Sequence, residues 1–157
     1  MSAGWKTIVY RGGLVTFRIP HYWVEETNEE EGIFHLDNPG SPTLFLRVLT
    51  LKSPSPVDDD THTRLLSGRR EAPGAPIRRL PSGNACLAYS TPAEDRGAAL
   101  VIYRWEIANI VPPYHARLAM FSYATLASQQ DTIADELRWL DREITACQFA
   151  CELGVLP

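Results

Sequence analysis

The residues of this chain best suited to chemistry are Asp58, Asp59, Asp60 and His62, in the run Asp58-Asp-Asp-Thr-His62. Carboxylates beside an imidazole can hold a divalent metal or act as acid and base in a hydrolysis. On a helix, Asp58 and His62 are the pair at i,i+4, and Asp59 and Asp60 point elsewhere. A metal-dependent or hydrolytic enzyme using Asp58 and His62, with His115 as a third group, is therefore one alternative. It requires these side chains to meet within about 5 Å in a cleft. The preferred reading is simpler: acids at a helix start are stabilised by the N-terminal end of the helix dipole.

The other candidates are scattered. His21, His35 and His115 lie in three segments and form a shared metal site only if the fold gathers them. Cys86, Cys147 and Cys151 are an odd number for a disulfide framework. Cys147 and Cys151 have helical i,i+4 spacing, but no neighbouring cysteine or histidine completes a zinc set, so all three read as small buried side chains. Arg69, Arg70, Arg78 and Arg79 form a basic loop that could receive an acidic peptide or a phosphate, because guanidinium forks match both. A solvated loop balancing nearby acids is the preferred account. No Gly-x-Ser-x-Gly, Walker A, Gly-x-Gly-x-x-Gly or Cys-x-x-Cys motif is present. The expectation is a protein without catalysis, metal or cofactor.

The elements that must carry these residues follow from periodicity. Trp5 to Arg11 and Val15-Thr-Phe-Arg-Ile19 read as a first hairpin turned at Gly12-Gly13 and ended by Pro20. Gly32 to Asp37 and Thr43 to Lys52 read as two further strands, the second apolar on both faces and hence central. Ser55 as cap and Pro56 in the first turn predict a helix over Pro56 to Ser67, stopped by Gly68. A short strand is expected at Ile77 to Leu80 and another at Ala85 to Ser90, followed by a turn over Thr91 to Gly97.

The stretch from Ala98 to Ile144 is the organising unit. Its first strand places Tyr103, Trp105 and Ile107 on one face and Arg104 and Glu106 on the other. Pro112-Pro113 turns the chain, and His115 to Thr125 returns with Leu118 and Met120 opposite Phe121 and Tyr123. Ser128 and Asp131 predict a helix start, and Ile133, Leu137, Leu140 and Ile144 supply its apolar stripe. Strands, a helix, more strands and a last helix describe an α+β chain with a largely antiparallel sheet.

The 157 residues, 45% hydrophobic and 22% charged, suit a single domain spanning 1–157. A net charge of -4 argues against a nucleic-acid partner, which needs a basic face. No apolar run reaches the ~20 residues needed to cross a bilayer, so no membrane insertion is expected. No basic stretch followed by an apolar run opens the chain, which reads as cytoplasmic.

The segment Phe17-Arg-Ile-Pro-His-Tyr-Trp23 resembles the phrase that opens Mog1/PsbP-like (DcrB-like) domains, where a strand ends in Pro-x-Gly-Trp. Tyr22 departs from that pattern by standing at the glycine position. The resemblance covers most of the chain in element order but only this phrase in residues. It implies an α/β/α sandwich with a C-terminal amphipathic helix. It also implies a protein that binds, assembles or adapts, as nuclear-transport factors, photosystem factors and bacterial chaperones of type VI secretion effectors do. It transfers no catalytic residue. The resulting expectation is a protein-binding or chaperone-like module whose partner is another protein or an apolar peptide segment. Tyr103, Trp105, Phe121, Tyr123 and Trp23 are its candidate contact residues. A homodimer formed through an exposed sheet edge or face is a further alternative.

Overall fold

The computed structural model describes residues 4–38, 40–68 and 75–151. The alternation seen in the first hairpin folds as expected. β1 (Trp5–Tyr10) pairs antiparallel with β2 (Val15–Pro20), and Val15, Phe17 and Ile19 are buried while Arg18 is exposed. The short β10 (Gln148–Phe149) adds to the other edge of β2, giving a three-stranded sheet.

The larger sheet contains β3 (Trp23–Glu25), β4 (Gly32–Leu36), β5 (Thr43–Lys52), β6 (Ile77–Arg79), β7 (Ala85–Asp95), β8 (Ala98–Val111) and β9 (His115–Leu126). Their order is β3-β4-β5-β9-β8-β7-β6, and every pairing is antiparallel. The paired β8 and β9 are joined across a cis Pro112–Pro113 bond. β5 lies inside the sheet, between β4 and β9.

One side of this sheet is closed by α2 (Ala134–Thr145) and the three-stranded sheet. Phe34, Leu44, Leu46, Trp105, Phe121 and Tyr123 pack there with Phe17, Ile19, Leu140 and Ile144 in one apolar cluster. Gly32 marks the closest approach: a Cβ there would stand 2.8 Å from the Phe34 ring and 3.2 Å from that of Tyr10. Among the described residues the other side carries only the seven-residue α1 (Thr61–Ser67), whose Leu66 packs with Ala85, Leu87, Ala108 and Leu118. Among the described residues no helix is long and apolar enough to cross a membrane.

Several boundaries differ from the sequence reading, each for a local reason. α1 begins at Thr61, not Pro56, because Asp58 and Thr61 close a turn: the Asp58 N–H donates to Thr61 Oγ1 at 2.9 Å and the Asp60 N–H to Asp58 Oδ1 at 2.9 Å. Such side-chain bonds compete with a helical start. β7 runs through Pro92 to Asp95, so the expected Thr91–Gly97 turn contracts to Arg96 and Gly97, both left-handed with φ of 51° and 81°. β6 pairs only with Ala85–Leu87, so Pro92 lies on an open edge where its missing donor breaks no outer ladder. α2 starts at Ala134, not Ser128, after a 3₁₀ turn over Ala127–Gln129, and no side chain caps it. Trp23 belongs to a strand, β3, that the sequence reading passed over.

Candidate functional site

The Asp58–His62 run does not form a cleft. His62 is buried on α1 with its Nδ1 3.1 Å from the Asp59 carbonyl oxygen, whereas Asp58 is exposed and paired with Arg64 at 3.4 Å. Desolvation opposes it, but the N–H groups of Asp60 and Thr61, the Arg64 guanidinium and the Thr61 hydroxyl together hold the Asp58 carboxyl below its ordinary value. His21 lies on the exposed turn after β2, with Nδ1 2.9 Å from the Gly4 carbonyl. His35, on β4, has Nδ1 2.9 Å from the Leu36 carbonyl and Nε2 3.1 Å from Glu26, contacts that raise its pKa. His115 opens β9 and is half-buried. Among the described residues no three His, Cys, Asp or Glu side chains group as metal ligands.

Cys86 and Cys147 are buried, and burial pushes their thiols up to about 11 and about 12. Cys151 is exposed, contrary to the expectation for it, and lies beyond α2, which ends at Thr145. The basic loop divides. Arg78 donates to Asp141 of α2 at 2.9 Å, and Arg79 donates to Asp59 beside α1 at 2.6 Å. Successive strand residues point to opposite faces, so β6 ties its edge of the sheet to both sides. Arg69 and Arg70 fall outside the described residues.

The proposed contact aromatics are placed in the core. Trp23, Trp105, Phe121 and Tyr123 are each exposed by 4% or less, and Tyr103 is half-buried with its hydroxyl accepting from Gln130. Trp23 stacks on Tyr123 and meets Trp139 of α2 edge-on, and Trp105 donates its indole N–H to Asp141 at 3.0 Å. They occupy the side that α2 covers, so the bare surface is the opposite one. Burial, with the Glu136 carboxylate beside it, raises the Tyr123 hydroxyl's pKa.

Among the described residues, α1 covers one end of that opposite surface. The row Leu118–Ala108–Ala85 lies under Leu66. The next row along the strands is Arg47–Met120–Glu106–Leu87, and the one after it is Phe45–Ser122–Arg104–Tyr89. These two rows floor a hollow of about 500 Å³, walled at one side by Glu31. Glu106 is buried and accepts from the Tyr89 hydroxyl at 2.8 Å. Arg47 and Arg104 make no ion pair or side-chain hydrogen bond among the described residues, and the Nε–H of Arg104 is buried without a partner. Phe45, Met120 and the Tyr89 ring supply apolar surface beside these polar heads. The arrangement can hold a ligand with an anionic head and an apolar body. Sequence reading placed Arg104 and Glu106 on one face and missed their companions Arg47 and Phe45 on β5. Charged residues in the middle of two interior strands are the signal that marks this surface.

No family model and no curated protein matches the chain. Solved structures share its fold. One from Bacteroides thetaiotaomicron superimposes with a TM-score of 0.66 at 13% identity over 99% of this chain. This chain spans about half of that protein, 52% of its length. LpqN of Mycobacterium tuberculosis, described as involved in cell envelope biogenesis, superimposes with a TM-score of 0.63 at 11% identity, covering 89% of this chain and 88% of its own. At such identities the likeness concerns the fold alone: a mixed α and β architecture on a mostly antiparallel sheet.

Proposed function

We propose that this chain is a non-catalytic protein-binding module, of adaptor or chaperone type, that engages its partner through the half-covered face of the large sheet. The observation that carries this reading is the unequal cover of the two faces. α2 and a second sheet close one, while among the described residues α1 covers only one end of the other, and a hollow lies over Arg47 and Arg104. Exposed, partly apolar concave surface of this kind marks interaction sites. Assignment to the Mog1/PsbP-like sandwiches is part of the same proposal. Its support is the Phe17–Trp23 phrase, which leads from the small sheet into β3 of the large one, and the closing helix.

The enzyme alternative has less support, since His62 is buried against Asp59 while Asp58 faces solvent. For an edge-paired homodimer, β7 beyond Leu87 is blunted by Pro92, Glu94 and Asp95, and β1, β3 and β6 are further edge strands. A photo-crosslinking residue at Ser122, compared with one at Arg138 on the exposed side of α2, tests the proposal in cells that express the chain. The expected result is a discrete adduct from Ser122 alone, with the captured protein otherwise unmodified in mass. Identical adducts from both positions, or none from Ser122, contradict it.

A further inference from the structure

Resting on that reading, we infer that the hollow recognises an acidic side chain set among apolar residues in a partner polypeptide, its carboxylate seated between Arg47 and Arg104. Most arginines in this molecule with a defined neighbour have an acceptor: Arg18 meets Glu143, Arg78 meets Asp141 and Arg79 meets Asp59. Among the described residues Arg47 and Arg104 meet none, although both face the hollow. A buried guanidinium N–H left without an acceptor is costly, which makes the Nε–H of Arg104 a donor awaiting one.

Geometry allows the two to act together. β5 and β8 flank β9, and Arg47 and Arg104 stand two residues apart along it, opposite Met120 and Ser122. Strand spacing puts their backbones about 12 Å apart, within the joint reach of two arginine side chains. The guanidinium fork is matched to a carboxylate, and the Ser122 hydroxyl between them can donate as well.

The rest of the lining sets the class of anion. Glu106 and Glu31 share the walls, and Glu106 already binds the Tyr89 hydroxyl. Among the described lining residues two arginines face two glutamates, a balance that suits a monoanion better than a dianionic phosphate. Phe45, Met120 and Tyr89 surround the polar centre, which calls for apolar neighbours on either side of the acid.

The test uses bead libraries of blocked heptapeptides with randomised leucine, valine, alanine and phenylalanine flanks and a central glutamate, glutamine or lysine. The full-length protein is expected to capture glutamate members about tenfold or more over glutamine members, in proportion to a charge-assisted hydrogen-bond pair. Arg104→Gln and the exposed-site variant Arg47→Gln are each expected to abolish that preference, the second guarding against a folding defect in the first. Equal capture of all three libraries, cross-linked at Ser122, overturns the carboxylate inference and leaves the binding face standing. Glutamate preference that survives both variants also overturns it. Absence of any capture at Ser122 overturns the inference, and the cellular cross-linking separately decides the binding face.

Discussion

On the α2 side of the large sheet, β8 and β9 present Trp105, Ile107, Phe121 and Tyr123, all buried in one cluster. On the α1 side the same two strands present Arg104, Glu106, Met120 and Ser122, and the buried apolar cluster there is the smaller one of Leu66, Ala85, Leu87, Ala108 and Leu118. Both sets come from the same strands by alternation, so backbone propensity is shared and only the side-chain choice differs. The contrast is between a face that is filled with apolar side chains and one that carries polar heads at its centre. Interior positions otherwise favour apolar groups, because a buried polar group must find a partner.

Removing the filling should show this difference most strongly. Phe121→Ala opens a cavity between Phe17 and the α2 stripe, and urea unfolding should record a loss of about 3–5 kcal/mol. Leu66→Ala strips the smaller cluster, whose seven-residue helix can settle onto the sheet, and the same measurement should give about 2–3 kcal/mol.

A smaller and pH-dependent effect is expected where the small sheet is tied to α2. The Arg18 guanidinium donates to both Glu143 oxygens, at 2.7 and 2.9 Å, and Arg142 adds a third bond, and these hold the Glu143 carboxyl below its ordinary value. A depressed folded-state pKa gives stability that is complete above the unfolded value, about 4.3, and is lost as pH falls through the lower folded one. Glu143→Gln should therefore lower the urea midpoint at pH 7, and its difference from the parent should shrink as pH falls below about 4.3. A difference independent of pH would assign the loss to packing.

The half of this comparison that was legible in the sequence is the alternation itself. Val15, Phe17 and Ile19, the two faces of Tyr103–Ile107, and the Ile133, Leu137, Leu140 and Ile144 stripe all lie where period and spacing put them. Which face is covered was not legible. Trp105, Phe121 and Tyr123 have the same pattern whether they line a groove or a core. The decision rests on Phe17 and Ile19, a hundred residues away in the chain, folding over them. The α1 boundary was hidden by a side-chain turn that mimics a helix start. Arg47 was hidden because β5 reads as continuously apolar around it.

The smallest expected effect is the most direct test of the division of roles. Arg104→Met removes the guanidinium, whose buried Nε–H has no partner among the described residues, and keeps a flexible apolar stem. If the open face serves a partner and not the fold, urea unfolding of this variant should show a stability unchanged or raised by up to about 1 kcal/mol. A loss of more than about 1 kcal/mol, of the size that breaking a buried hydrogen bond produces, would mean that Arg104 holds the sheet together and that this face was not set aside for binding.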